Sequence, residues 1–119
     1  MHRPKTIFCD LDGTLVKHSN PIDTQNPNLI LEVLPGVHEK LKDWDMKGYT
    51  IIITTGRKES TRPATIKQLA RAGIPYDQLI MGFGGGDRVL LNDKKPDGRI
   101  TAYAINLDRD KGLLLSLIH

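Results

Sequence analysis

The hydrophobic residues of this chain fall into short continuous runs that alternate with amphipathic stretches. Residues 6–9 and 49–54 are apolar runs without strict alternation, which is typical of parallel strands buried on both faces. Residues 37–47 carry apolar side chains at helical spacing and are followed by Gly48, so they predict a helix between these strands. This order favours an α/β fold with a parallel sheet flanked by helices.

The second half of the chain continues the same alternation. Residues 61–72 predict a second long helix, and short apolar runs at 78–81, 88–91 and 102–107 predict three further strands. Only six residues separate the first two of these runs, fewer than the roughly 10–12 residues of a helical crossover. Those two strands are therefore predicted to connect without a helix, and the glycines between them are interpreted as serving a tight passage.

A polar stretch at residues 17–28 follows the first strand and is rich in proline, asparagine, aspartate and serine. It is too long for a simple connection and predicts a surface flap, which extends over residues 17–34 when counted up to the next helix. An apolar tail lies at the other end of the chain. It predicts either packing on the chain's own sheet or contacts in a homo-oligomer, to which the flap could also contribute. The tail consists of Leu113, Leu114, Leu115, Leu117 and Ile118.

The length of 119 residues suits one domain with a single core, so residues 1–119 are predicted to form one domain. No run of eighteen apolar residues is present, which argues against a membrane partner. Cys9 is the only cysteine, so an intrachain disulfide and a cysteine-based zinc site are excluded, and the interpretation is a reduced, cytoplasmic protein. The net charge of +3 suits anionic substrates but is too small to indicate nucleic acid.

Two aspartates, Asp10 and Asp12, follow the first strand and are succeeded by Gly13. Carboxylates this close repel each other, and a hard divalent cation such as Mg²⁺ relieves that repulsion. One carboxylate would then be available as a nucleophile. The competing interpretation is an ordinary Asp-Gly turn, in which the aspartates only accept backbone hydrogen bonds.

Polar side chains follow two other predicted strands. The second strand ends in Thr54-Thr55-Gly56-Arg57, and the fourth ends in Asn92-Asp93-Lys94-Lys95. Because ligands of parallel α/β sheets bind at the carboxyl ends of the strands, these groups predict a combined phosphate and metal site. Taken singly, the threonines could be ordinary strand residues and Asp93 could be a turn former.

Three segments resemble sequence motifs of the haloacid dehalogenase (HAD) superfamily. Asp10-Leu11-Asp12-Gly13-Thr14-Leu15 is similar to motif I, residues 51–57 to motif II and Val89-Leu90-Leu91-Asn92-Asp93 to motif IV. The resemblance covers nearly the whole chain. It implies a Rossmann-like domain with a parallel sheet flanked by helices, and a small member without a cap domain.

The resemblance also implies roles for individual residues. Asp10 would be the nucleophile that accepts a phosphoryl group, and Asp12 would protonate the leaving group and then activate water. Thr55, with the adjacent Gly56, would hold a phosphate oxygen, and Thr54 is a second candidate for that place. Mg²⁺ would be held by Asp10, by the backbone carbonyl of Asp12 and by Asp93.

The chain departs from the family pattern at two places. The first acid of motif IV is replaced by Asn92, and the lysine expected after the third strand is missing from the glycine-rich stretch that follows Met81. Lys94 is the preferred substitute for that lysine because it adjoins Asp93, and Arg88 and Lys95 are further candidates.

The sequence therefore predicts a Mg²⁺-dependent phosphomonoesterase that forms an aspartyl phosphate and acts on a small phosphorylated substrate, such as a sugar phosphate. A pseudo-phosphatase that binds Mg²⁺, phosphate or a partner is the alternative that the missing lysine favours. A third hypothesis is a nucleic-acid end phosphatase, because Thr55-Gly56-Arg57 resembles polynucleotide 3′-phosphatases, although no basic stripe supports it.

Overall fold

The computed structural model describes residues 3–114, 117 and 118. Three parallel strands form one sheet in the order β1-β2-β3, where β1 is Thr6–Asp10, β2 is Thr50–Thr54 and β3 is Gln78–Ile80. The final residues of the three strands are paired with one another. The chain therefore leaves all three strands at the same edge of the sheet.

Three helices accompany the sheet: α1 at Pro21–Thr24, α2 at Val37–Met46 and α3 at Arg62–Ala72. A short 3₁₀ turn at Glu59–Thr61 leads into α3. Within the described ranges, none of the helices has the length and apolar character needed to cross a membrane. No cap is evident there either, as the family resemblance implied.

These bounds confirm most of the predicted elements. The strands expected at 6–9, 49–54 and 78–81 and the helices expected at 37–47 and 61–72 are each observed to within one residue. The Rossmann-like α/β architecture is thus present. Continuous apolar runs and helical spacing were sufficient for these elements because each of them buries a face in the core.

The core lies where α2 and α3 pack against the sheet. Its fully buried side chains come from both strands and helices, including Ile53 of β2, Leu41 and Trp44 of α2, and Leu69 of α3. The central strand β2 is buried on both faces, as expected. In β1, however, exposed and buried residues alternate and Phe8 is 57% exposed, so this strand is covered on only one face and the expected burial on both faces is wrong.

The strands expected at residues 88–91 and 102–107 are wrong: neither segment is extended and paired in the structure. Val89 is 82% exposed and Leu91 is 90% exposed. A strand is stable only when its backbone groups pair with a neighbour, and apolar composition alone does not provide that neighbour. In the described part of the chain, neither segment pairs with the available edge of β1.

The flap at residues 17–34 has an ordered base. Val16 and Val33 form an antiparallel bridge, and the backbone N–H of Leu34 donates to the carbonyl of Leu15 at 3.0 Å. The tip contains α1, which is capped by the Asn20 side chain accepting from the N–H of Asp23 at 2.8 Å. The segment expected to be an irregular loop therefore contains one helical turn.

The apolar tail packs in part on the chain's own core. Leu113 is buried, and its N–H donates to the carbonyl of Pro35 at 2.9 Å. The indole N–H of Trp44 donates to the carbonyl of Ile118 at 3.0 Å, whereas Leu114 is exposed. Leu115 lies outside the described residues. Self-association through the tail or flap stays a prediction, which sedimentation at micromolar concentration tests.

The Cys9 thiol should be inert in the folded protein. Burial, with a smaller contribution from the Asp10 charge, raises the pKa of Cys9 to about 12. The thiolate is the reactive form, so we expect a thiol reagent at about pH 8 to modify the denatured protein rapidly and the folded protein very slowly. Comparable rates in the folded and denatured states would contradict this.

The same pKa shift has a consequence for stability. Because the pKa in the folded state lies above the unfolded value of roughly 8.5, the contribution of Cys9 to stability is complete below that pH. It is then lost as the pH rises through the pKa of the folded state. A Cys9→Ser variant in alkaline unfolding experiments should lose less stability over this range than the natural chain.

Candidate active site

The loop after β1 brings Asp10 and Asp12 to the carboxyl edge of the sheet. Asp10 is the last residue of β1, and the N–H of Leu11 still donates to the carbonyl of Thr54 at 3.1 Å. The chain then turns at Gly13, whose φ of 89° is one that side chains with a Cβ rarely adopt. The carbonyl of Gly13 accepts from the N–H of Asp110 at 2.8 Å. This hydrogen bond ties the turn to a segment near residue 110.

Asp10 carries a negative charge that its surroundings do not balance. Loss of hydration, followed by repulsion from Asp12, raises the pKa of Asp10 above its ordinary value. The positive charge of Arg88 and hydrogen bonds from Leu11 and Thr14 oppose this shift without cancelling it. The Thr14 hydroxyl lies 3.4 Å from one carboxylate oxygen of Asp10. The site is therefore short of positive charge at this carboxylate.

Asp12, in contrast, is bound by a buried arginine. The Nε of Arg57 donates to Oδ2 of Asp12 at 2.9 Å, and Nη2 donates to Oδ1 at 2.8 Å. The side chains of Arg57 and Asp12 are only 4% and 17% exposed. A bidentate pair of this kind fixes the plane of the carboxylate as well as its charge.

Two polar residues on the inner face of α3 hold Arg57. Its Nη1 donates to the hydroxyl of Thr65 at 3.1 Å and to Oε1 of Gln68 at 2.6 Å. Sequence reasoning quoted Arg57 without a role and missed Thr65 and Gln68. The available signal was that these polar residues share the buried face of α3 with Leu69.

The predicted phosphate-binding residues of the second strand lie beside this pair. The Thr55 hydroxyl is buried, accepts from the N–H of Arg57 at 3.1 Å and lies 3.5 Å from Oδ2 of Asp12. Gly56 is exposed at the rim. The Thr54 hydroxyl instead donates to the carbonyl of Cys9 at 3.4 Å. Thr55 is therefore the threonine that the structure places with Asp12.

Arg88 is a cation that acts on Asp10, because its positive charge lowers the pKa of that carboxyl. The glycine-rich segment holds the guanidinium of Arg88, because Nη1 donates to the carbonyls of Gly84 at 3.1 Å and Gly86 at 2.7 Å. Lys94 is exposed on the following loop, and its role at the phosphate stays a prediction.

Asp93 is not brought to the aspartate pair. It lies on the exposed loop that replaces the expected fourth strand, and it contacts Lys95 at 3.3 Å. Across residues 3–114, 117 and 118, no group of three or more His, Cys, Asp or Glu side chains is placed to hold a metal ion. The expected set of Asp10, Asp12 and Asp93 is therefore not assembled, because its third member depended on a strand that does not form.

The residues that are assembled nevertheless fit Mg²⁺. Protein-bound Mg²⁺ commonly has one or two carboxylate ligands, with water and substrate phosphate in the other positions. The unbalanced charge of Asp10 suits a hard cation. The family resemblance adds the backbone carbonyl of Asp12 as a second donor.

Comparisons with known proteins find one sequence family and several solved structures that are similar to this chain. Residues 7–86 match the sequence profile of the haloacid dehalogenase-like hydrolases. A Vibrio cholerae protein of known structure aligns over 76% of this chain and 81% of its own length, with 26% identity and a TM-score of 0.55. No match is found among curated proteins.

Two further solved structures are similar. A chain of the Pnkp1/Rnl/Hen1 complex aligns over 72% of this chain but only 30% of its own length, with 31% identity and a TM-score of 0.58. D,D-heptose 1,7-bisphosphate phosphatase from B. bronchiseptica, complexed with magnesium and phosphate, aligns over 78% of this chain and 58% of its own length. At 22% identity and a TM-score of 0.51, that likeness shows the fold alone.

Asp10→Asn should stabilise the metal-free protein at neutral pH. Because the pKa of Asp10 is raised in the folded state, its ionisation opposes folding, and a neutral amide of the same size removes that cost. The melting temperature in the presence of a chelator should therefore be higher for the variant at about pH 7.

The advantage should shrink as the pH falls through the folded-state pKa of Asp10 and vanish below the unfolded value of about 3.9. If the variant and the natural chain had the same melting temperature at about pH 7 as well as at low pH, the folded protein would not disfavour ionisation of Asp10.

Proposed function

Because this chain belongs to the haloacid dehalogenase-like hydrolases, we propose that it is a Mg²⁺-dependent phosphomonoesterase that works through an aspartyl phosphate on Asp10. The observation that carries this proposal is the contrast between two neighbouring carboxylates. Asp12 is oriented by two hydrogen bonds from Arg57, whereas Asp10 keeps an unbalanced charge. Different environments of this kind assign different roles to two carboxylates in one site.

In the first step, a carboxylate oxygen of Asp10 attacks phosphorus and the bond to the leaving oxygen breaks. Asp12, in its protonated form, gives its proton to that oxygen. In the second step, Asp12 takes a proton from water, the water oxygen attacks phosphorus, and phosphate and the Asp10 carboxylate are released. Arg57 uses one acceptor site on each oxygen of Asp12, and the Thr55 hydroxyl, at 3.5 Å, uses a second site on Oδ2. A carboxylate has about four such sites, so room for the proton remains on Oδ1.

Positive charge must accompany the transferred phosphoryl group, because its oxygens and Asp10 are all anionic. Mg²⁺, when bound, supplies part of that charge and offsets repulsion between Asp10 and the phosphate. Arg88 supplies a second part, since it already acts on Asp10. Thr55 contributes a hydroxyl donor at the edge of the site next to Asp12.

Asp10→Asn should abolish phosphatase activity in a folded protein. An amide oxygen cannot take the place of the carboxylate nucleophile, so kcat/KM should fall by at least about 10³-fold. The measurement is Mg²⁺-dependent release of phosphate from a panel of phosphorylated metabolites.

Asp45→Asn is the matched control, because Asp45 is an exposed residue of α2 on which the site does not depend. It should retain the activity of the natural chain. A folded Asp10→Asn protein with substantial turnover would overturn the assignment of the nucleophile.

Arg88→Ala should lower kcat/KM at least tenfold, which corresponds to about 1.4 kcal/mol of transition-state stabilisation. Arg88→Lys should recover part of the loss. The charge remains, but the guanidinium nitrogen Nη1 that donates to the carbonyls of Gly84 and Gly86 is lost. Steady-state kinetics of the two variants provide the measurement.

Lys94→Ala is the control for this experiment, and its kcat/KM should stay near that of the natural chain. If Lys94→Ala caused the larger loss, the charge would come from the loop after residue 91, as the sequence alone suggested.

An RNA-end phosphatase is the second candidate, and one specific observation favours it. The 31% identical chain belongs to the Pnkp1/Rnl/Hen1 assembly, which is described as an RNA repair complex. Thr55-Gly56-Arg57 is the segment that resembles polynucleotide 3′-phosphatases. Since this chain spans less than a third of the matched chain of that complex, that substrate class is proposed here only as the alternative.

The two candidates differ in the substrate that is hydrolysed fastest. A sugar phosphate and a 3′-phosphorylated oligonucleotide can be compared by kcat/KM under the same Mg²⁺ concentration. Mg²⁺-dependent binding of phosphate without turnover of either substrate would instead indicate a pseudo-phosphatase.

A further inference from the structure

Gln68 of α3 is fully buried, with 0% of its surface exposed, and both ends of its carboxamide are engaged. Its Oε1 accepts from Nη1 of Arg57 at 2.6 Å. Its Nε2 donates to the backbone carbonyls of Thr24 at 3.0 Å and Asn26 at 2.8 Å. One side chain thus joins the arginine that orients Asp12 to the tip of the flap.

Removing this side chain would take a hydrogen bond from three polar groups. Nη1 of Arg57 would keep only the hydroxyl of Thr65 as an acceptor, and the carbonyl of Asn26 would keep only the N–H of Leu29 as a donor. The carbonyl of Thr24 would lose the donor from Gln68. Lost hydrogen bonds are most costly at buried and charged groups such as Arg57. The hydrogen bonds of Gln68 therefore favour the arrangement in which the flap and Arg57 are in place together.

The flap and the start of α3 also border an open depression of about 470 Å³. Gln25 and Pro27 form its flap side, and Lys58, Ser60 and Lys67 form the opposite side. Gln68 binds the flap at Thr24 and Asn26, next to the residues that line this depression. The position of the flap therefore also sets the width of a cationic opening.

We propose that Gln68 is a positioning residue that couples the flap to Asp12 through Arg57. While the carbonyls of the flap bind Nε2 of Gln68, Oε1 of Gln68 stays hydrogen-bonded to Arg57. Arg57 then keeps the Asp12 carboxylate in one orientation. When the flap moves away, Gln68 loses the carbonyls that hold it, and Arg57 loses a fixed acceptor. The inference rests on the proposed function for its catalytic consequence, but the structural coupling can be measured without turnover.

The principal test compares Gln68→Met with two variants that each disturb one end of the network. Methionine has nearly the shape of glutamine but cannot replace its hydrogen bonds. Thr65→Val removes the second acceptor of Nη1 of Arg57, and Thr65 does not contact the flap. Arg71→Met removes a hydrogen bond of 3.4 Å from α3 to the carbonyl of Pro27 in the flap and does not contact Arg57.

The first measurement is hydrogen exchange of backbone amides in residues 21–28, without metal or substrate. Gln68→Met should increase exchange at least about tenfold, as expected when local opening becomes easier. Thr65→Val should also increase it, because the disturbance at Arg57 reaches the flap only through Gln68. In the Gln68→Met background, Thr65→Val should have no further effect, since coupled residues are not additive.

The second measurement is kcat/KM for an alkyl phosphate and for p-nitrophenyl phosphate. This quantity reports the steps up to loss of the leaving group, and not the later hydrolysis in which Asp12 serves both substrates. The alkoxide leaving group needs a proton from Asp12, whereas p-nitrophenolate departs without one. Gln68→Met should therefore lower kcat/KM for the alkyl phosphate at least about tenfold and kcat/KM for the aryl phosphate about twofold or less. Arg71→Met, which loosens the flap from its other side, should shift the ratio of the two kcat/KM values in the same direction but by less, because coupling acts both ways.

The outcomes separate the coupling from a purely structural role. In Gln68→Met, faster flap exchange with an unchanged ratio of the two kcat/KM values would overturn the proposal, as would a changed ratio with unchanged exchange. If Gln68→Met does not fold, Gln68→Asn replaces it, because the shorter amide cannot reach Arg57 and the flap together. If no substrate is hydrolysed, the proposed function fails, and exchange in Thr65→Val still decides whether the flap is coupled to Arg57.

Discussion

The fold around the site depends on one constraint, which is that the guanidinium of Arg57 is buried and must be fully paired. A buried charge is costly, and breaking a buried ion pair destabilises a protein by roughly 3–5 kcal/mol. Asp12, Thr65 and Gln68 satisfy Arg57 from three sides. They come from the loop after β1 and from α3, so pairing one arginine fixes the relative position of both. The flap is connected to this arrangement by Nε2 of Gln68, which donates to two of the flap's carbonyls.

The same pairing separates the two aspartates electrostatically. Asp12 has its charge balanced locally, whereas burial and repulsion raise the pKa of Asp10. An oriented carboxylate is suited to moving protons, and an unbalanced carboxylate attracts a cation and a reacting group. The difference does not depend on sequence position, since the two residues have the same side chain and are separated by one residue. It depends on which carboxylate the arginine reaches.

One source of positive charge at Asp10 is Arg88, which lies in the segment after β3. The glycine-rich stretch after β3 carries no lysine, but its carbonyls bind the guanidinium of Arg88. The 5.1 Å contact of Arg88 with the ring of Phe83 adds a second support. The glycines are thus compatible with a tight passage and also bring backbone oxygens close to a cation, which bulkier residues would hinder.

Local sequence patterns were sufficient to predict the elements whose residues bury a face, which are β1, β2, β3, α2 and α3, and to find the aspartates at the end of β1. Hydrophobic periodicity records that burial directly. It could not determine whether residues 88–91 and 102–107 would find a pairing partner, so the expected placement of Asp93 failed with the fourth strand. The contacts that join Arg57 to Asp12 and Gln68 of α3 to the flap were found only in the three-dimensional structure. Those contacts link residues that are distant in the chain, and hydrogen-bond geometry between distant residues leaves no periodic signal in a single sequence.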